Sequence, residues 1–150
     1  MKRPQDETEE PSDDDYRQLL AFRDGLRRFL RWSEESAHAA GMTPAQHQLL
    51  LAIRGHGSAP SVSELAAHLL LKHHSVVELI DRATVAGLVR RLDDRDDQRV
   101  VRVALTATGQ RRLRALAKAH VDELARIRSE IPAIRGLDRR EPGRDPTAAE

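Results

Sequence analysis

Between Ser61 and Gly109 the apolar residues change their period, and no other feature constrains the fold as tightly. SVSELAAHLL opens with Ser61 and Glu64 three residues apart, the pattern of a reciprocal capping box at a helix start. A break follows at Leu71-Lys72-His73. Val76, Leu79, Ile80 and Ala83 then recur at i, i+3, i+4 and i+7, so a second helix over about 74–86 buries one stripe and frees its other face. Gly87 stands where a helix C-terminus favours a residue at ease with positive φ. Beyond it the repeat becomes two: Val101, Val103 and Leu105 alternate with Val100, Arg102 and Ala104. LVRRL, residues 88–92, is the expected partner strand across the charged turn DDRDDQR. Helix, turn, helix and hairpin in that order predict a winged helix-turn-helix, mainly α with a small β-hairpin wing (an α+β fold).

Long helices flank this unit. In residues 13–40, Leu19, Phe22, Leu26, Phe29, Ser33 and Ala37 keep helical spacing, and Asp13 to Asp15 place negative charge at the positive end of the helix dipole. Gly25 interrupts at a cost of about 1 kcal/mol relative to alanine. Gly41 ends this helix, and Thr43-Pro44-Ala45-Gln46 starts another with a capping box and proline at the first position. Leu49, Leu50 and Ile53 are its core stripe. Thr106 caps a last helix running to about Glu130, in which Leu113, Leu116, Ala117, His120, Leu124 and Ile127 form a near-heptad seam. A chain of 150 residues is too small to cover both long helices by itself, which predicts a homodimer. Its seam is expected at Leu19, Phe22, Leu26, Leu113, Leu116, Leu124 and Ile127.

Composition narrows the classes. No apolar run approaches the roughly 18 residues of a membrane span, and residues 1–15 lack the apolar core of a secretory leader. The chain has no cysteine, which excludes disulfides and fits a reducing cytoplasm. Residues 1–15 set Lys2 and Arg3 against seven acids, a net of −5, leaving about +6 elsewhere to suit a polyanionic partner. Residues 1–12 and 139–150 read as polar tails without enough apolar surface to order. There is no phosphate-cradling glycine loop and no nucleophile motif, so neither an enzyme nor a cofactor is expected. The seven histidines lack an i, i+4 pair and have no cysteine beside them, which argues against a metal site.

Asp97-Gln98-Arg99, five residues, then Leu105-Thr106-Ala107-Thr108-Gly109 match D-x-R-x(5)-L-T-x-x-G. This segment resembles the wing signature of the MarR family of bacterial transcription regulators, and SELAAHL, SVVELIDR and GLVRR resemble the family's helix-turn-helix and following strand. The likeness extends over roughly 33–131. It implies a MarR-type domain at 13–138, with a DNA-binding lobe at 43–105 and dimerisation helices at 13–40 and 106–137. The chain departs from the family pattern in two places: Lys72 where a serine or threonine cap is usual, and Ala83 where leucine is usual.

The partner implied is double-stranded DNA, read by the second helix of the unit in the major groove. Lys72, His73, His74, Ser75, Val77, Glu78 and Arg82 lie on its free face or N-terminal end. Lys72 and Arg82 suit phosphate or guanine, Ser75 base or backbone, Glu78 the cytosine amino group and Val77 a thymine methyl. At the wing tip Arg99 suits a narrow minor groove, Asp97 can fork its guanidinium, and Arg95 and Arg102 suit phosphate or plain solvation. The resemblance implies a repressor that binds a pseudo-palindromic operator and is released by a small phenolic or anionic ligand. It places that ligand between the dimerisation helices and the lobe, with Phe29, Trp32, Met42 and His47 as candidate lining. A helical dimer without DNA binding is the competing reading, and it has no use for Arg99 or the basic recognition helix.

Overall fold

A computed structural model describes residues 10–130. Five helices and one hairpin follow in the order α1 (Asp13–Ala39), α2 (Pro44–Gly55), α3 (Val62–Leu69), α4 (His73–Val85), β1 (Val89–Asp93), β2 (Val101–Leu105) and α5 (Ala107–Glu130). The part of the expected dimerisation helices at 131–137 and the expected tail at 139–150 lie outside the described residues. The chain divides into two compact units. One holds the start of α1, up to Leu30, and the end of α5, from Glu123; the other runs from Arg31 to Asp122.

Both predicted capping boxes form. Thr43 Oγ1 accepts from the Gln46 amide at 3.2 Å while Gln46 Oε1 accepts from the Thr43 amide at 3.0 Å. Ser61 and Glu64 exchange the same pair of bonds at the start of α3. A further reciprocal pair at Ser12 and Asp15 starts α1, where the sequence pointed only to the charge of the acids.

Three helices end in the same way. An amide two or three residues past the helix reaches back five positions: Met42 to Ala37, Leu71 to Ala66 and Leu88 to Ala83. The residue before it takes positive φ, at Gly41, Gly87 and, without glycine's freedom, Leu70 at 53°. These ends correct two boundaries. The turn of the helix-turn-helix is Leu70–Lys72 and α4 starts at His73, one residue early, because Leu70 takes the left-handed position. Leu88 belongs to the cap of α4, so β1 begins at Val89 and not at Leu88.

β1 and β2 pair antiparallel, with Val89 opposite Leu105 and Asp93 opposite Val101. Their sheet gains a short third edge, since the Val103 amide donates to the Pro60 carbonyl at 2.9 Å and Ser61 bridges to Arg102. Beneath it the predicted stripes of α2 (Leu49, Leu50, Ile53) and α4 (Val76, Leu79, Ile80, Ala83) meet Leu65, Leu88, Val89, Val103 and Leu105 in one core. Leu113 and Leu116 of α5 join this core at 4% and 5% exposure. The expected dimer seam is corrected there: both leucines pack into their own chain, because the first turns of α5 are tied to the hairpin. Leu19, Phe22, Leu26 and Leu124 stay exposed, and Ile127 is half-buried.

Gly109 accounts for the last residue of the sequence signature. A β-carbon there would lie 2.1 Å from the Leu88 carbonyl oxygen. Thr106 Oγ1 donates to the Gly87 carbonyl at 2.6 Å and accepts from the Gly109 amide at 3.0 Å, so it caps α5 and joins it to the end of α4. Leucine, threonine and glycine thus form one joint between recognition helix, wing and α5.

Candidate nucleic-acid interface

The N-terminus of α4 is open. Lys72 is its N-cap with no side-chain cap bond, and its first turn carries no acid. Unpaired amides and the positive end of the helix dipole therefore face outward with a lysine beside them. Lys72, His73, His74, Glu78 and Arg82 are exposed, while Ser75 and Val77 are half-buried. On this same face Asp81 accepts from Arg91 Nη2 at 2.6 Å, which ties α4 to β1.

Acids organise the wing tip. Asp94 Oδ1 accepts the amides of Asp96 and Asp97 at 2.8 and 3.0 Å, and its Oδ2 accepts from Arg102 Nε at 2.5 Å. The Arg102 bond first, then the two amides, lower the Asp94 pKa to about 2. Arg102 also donates to the Ala59 carbonyl at 3.0 Å and lies 3.7 Å from Glu64. Arg102 is thus a strut between the wing and the start of α3, which corrects its reading as a phosphate contact.

Arg99 forks onto Asp97, with Nε to Oδ1 at 3.1 Å and Nη2 to Oδ2 at 3.3 Å. This bond, and the Arg99 amide behind it, hold the Asp97 carboxyl below its ordinary value. The Arg99 side chain is 91% exposed, so the carboxylate aims it without enclosing it. Arg95 is exposed at the same tip.

The start of α3, α4, β1 and the wing line a concavity of about 320 Å³. Ser61 and Ser63 line it from α3, His73 and Val77 from α4, Arg91 from β1, and Arg99 with Val101 from the wing. Two guanidiniums, an imidazole and two serines converge there, and no acid lines it. His73, Val77 and Arg99 were legible in the sequence; Arg91 and Ser63 were not. Arg91 reaches the site only because the turn at Gly87 folds β1 back along α4, and no local pattern signals that.

The candidate ligand group is arranged differently. Met42 is 3% exposed in the core, since the end of α1 turns it inward, which corrects its place as pocket lining. His47 is buried and its pKa lowered, first by desolvation and then by His120, whose ring lies 4.7 Å away. His120 Nδ1 donates to the Leu116 carbonyl at 2.8 Å, which leaves Nε2 to accept from the Ser33 hydroxyl at 2.7 Å. Trp32 tilts against the same ring at 4.7 Å. Trp32 and His47 thus share a packed layer, and Phe29 lies in the other unit. Neither the concavity above nor a second one, between α2 and α5, is lined by any of these four.

A helix-turn-helix with an uncapped basic second helix, beside a hairpin that presents a forked arginine, defines a winged helix-turn-helix protein. The MarR family model matches residues 40–100, which hold α2 to α4, β1 and most of the wing turn. Over these residues the chain is similar to the MarR family. It is 36% identical over 75 residues to the HTH-type transcriptional repressor MdtR of Bacillus subtilis (strain 168), a stretch that covers 50% of this chain and 48% of that one. The chain thus spans about half the length of the curated relative it matches. Its fold is that of AbsC, a MarR family transcriptional regulator from Streptomyces coelicolor, at TM-score 0.70 and 22% identity over 85% and 87% of the two chains. It is likewise similar to a mutant MarR from E. coli complexed with operator DNA, at TM-score 0.66 and 22% identity over 78% and 85%.

Proposed function

We propose that this protein is a sequence-specific DNA-binding transcriptional regulator, a repressor that binds a pseudo-palindromic operator as a homodimer. The observation that carries the reading is the concave cationic surface shared by α4, β1 and the wing tip. Arg99, His73 and Arg91 bound it, and no acid lines it. In this reading α4 enters the major groove with Lys72, His73, His74, Ser75, Val77, Glu78 and Arg82. A backbone phosphate sits in the concavity, and Arg99 with Asp97 and Arg95 reaches the adjacent minor groove.

Two names support the repressor and operator parts: MdtR is a transcriptional repressor, and the E. coli MarR structure holds operator DNA. Exposed Leu19, Leu20, Phe22 and Leu26 on α1 and Leu124 on α5 support the homodimer, since such an apolar group on one chain calls for cover. Residues 43–105 then form the DNA-reading lobe, and 13–40 with 106–137 the dimerisation helices.

Selection from random duplexes should return inverted repeats about one turn apart, roughly 34–36 Å between half-site centres. Arg99→Ala should weaken binding and lower the salt slope by about 0.9, one phosphate-like contact. Its change in preference should fall in the A·T-rich flanks. Arg91→Gln should weaken all duplexes alike. An Arg99→Ala protein that binds as the parent does at every salt concentration sinks the wing assignment, and recovery of one asymmetric site sinks the dimer.

A further inference from the structure

We propose that Glu78 is the specificity-determining residue of the α4 face: it accepts from the amino group of one cytosine in each half-site, and a methyl group on that amino nitrogen abolishes the contact. This rests on the reading that α4 lies in the major groove. Val76, Leu79, Ile80 and Ala83 form the buried stripe of α4. On the helical repeat, His74 and Glu78 fall at the middle of the opposite face, one turn apart. His73 and Val77 lie to one side of them, against the acid-free concavity, and Ser75 and Arg82 to the other. Glu78 is exposed and does not line the concavity, so its carboxylate is clear of the place proposed for a phosphate.

α4 carries two acids, and only one of them is tied to the fold. Asp81 accepts from Arg91. Glu78 stands four residues before Arg82, the order and spacing at which a helix pairs opposite charges, yet neither makes an ion pair among the described residues. An unneutralised carboxylate at the centre of a surface that meets DNA repels each phosphate it passes, so it lowers affinity wherever no donor faces it. A carboxylate can only accept. In the major groove the donors are the amino groups of cytosine and adenine, while guanine presents acceptors and thymine an acceptor and a methyl group. Adenine sets its N7 acceptor beside the amino group, where a carboxylate meets a second lone pair. Cytosine has no acceptor there, so cytosine is the base that best offsets the desolvation of Glu78. Methylation at N4 leaves one amino hydrogen, which pairs with guanine, and puts the methyl group where Glu78 accepts. Methylation at C5 leaves both amino hydrogens in place.

The test is a selection from random duplexes with the full-length parent, Glu78→Ala and Glu78→Gln. Binding is then measured to the selected operator carrying N4-methylcytosine or 5-methylcytosine at the Glu78-dependent position. The parent should require cytosine at one position of each half-site, and any other base there should weaken binding at least about fivefold, the low end for one mismatched pair. Glu78→Ala should accept all four bases at that position and keep the parent's preference elsewhere. Glu78→Gln should move the preference to adenine, whose N6 and N7 an amide meets together. Both variants should bind random duplex more tightly than the parent, since each removes a charge that repels phosphate. N4-methylcytosine should weaken the parent by the same factor and leave Glu78→Ala unchanged, and 5-methylcytosine should weaken the parent less. Glu78 is exposed, so the fold should tolerate both changes, with the thermal midpoint as the check. An unchanged base preference in Glu78→Ala, or a parent indifferent to N4-methylcytosine, overturns the proposal and leaves DNA binding by α4 standing. A parent that selects no sequence overturns both.

Discussion

Replacing Gly109 with alanine sets two effects against each other, and the structure decides the sign. Gly109 is in the first turn of α5 with no positive φ, so helix propensity alone predicts a gain of about 1 kcal/mol from alanine. The added β-carbon would lie 2.1 Å from the Leu88 oxygen and 3.0 Å from its carbonyl carbon. Both are backbone atoms, and Leu88 is held by its bond to Ala83 and by the Thr106 amide. Overpacking costs about 1–3 kcal/mol, and a clash with pinned backbone belongs at the upper end of that range. After the propensity gain, about 2 kcal/mol of destabilisation remains. For a chain of this size that lowers the thermal midpoint by roughly 4–8 °C. Gly55→Ala is the control: nothing lies within 4 Å of its β-carbon position, so it should be stabilising by up to about 1 kcal/mol. Thermal and urea unfolding at matched protein concentration would measure both, since association shifts the midpoint. A Gly109→Ala protein as stable as the parent would refute the packing argument and leave the signature glycine without a structural cause.

Two other predictions concern charge and capping. Asp94 has its pKa lowered from 3.8 to about 2, so its bonds contribute stability that is complete above about pH 4 and lost as pH falls through 2. The stability gap between parent and Asp94→Asn, followed by urea unfolding, should therefore be widest near neutrality and close in acid; a gap that does not vary with pH would discount the wing network. Lys72→Ser supplies the missing cap of α4 and should stabilise the fold by about 1 kcal/mol while weakening operator binding. A variant that gains stability and keeps its full affinity would remove Lys72 from the interface.

What the sequence made legible was local. Capping boxes, the stripe of α4 and the alternation of β2 depend on neighbours one to seven residues apart, and each is found where the pattern put it. The wing motif located Arg99 and Asp97, and their fork forms within a two-residue separation. What pattern reading missed depends on distance or on helix ends. Arg91 meets Asp81 across ten residues, and Arg102 reaches Ala59 across 43. The α5 seam looked uniform at near-heptad spacing, yet Leu113 and Leu116 turn into the lobe while Leu124 remains exposed. Periodicity shows that a helix has an apolar face, but not which stretch of it is covered by the same chain. Met42 was misplaced for a related reason: its burial follows from the turn at Gly41, and neither its residue type nor its spacing reveals that turn.

The surface proposed to face DNA is less basic than that role suggests, because Asp81, Asp94 and Asp97 stand among its arginines. Each acid weakens attraction for phosphate, so charge alone does not account for their presence. Their geometry separates them into two roles. Asp94 holds a half-buried Arg102 that also reaches Ala59 and Glu64, so that arginine stays with the fold and sets the shape of the wing. Asp97 holds an Arg99 that is almost wholly exposed, so that guanidinium can exchange a carboxylate for DNA without crossing the protein. Ordering a long free side chain on binding costs about 0.5–1.5 kcal/mol, and the fork meets part of that cost before DNA arrives. The same fork must be broken or shared when the phosphates approach, which lowers affinity for any duplex whose groove does not concentrate enough negative potential. If Arg99 reads the minor groove as proposed, an acid beside it weakens non-specific binding more than binding to a narrow A·T-rich groove, and discrimination rises as raw attraction falls.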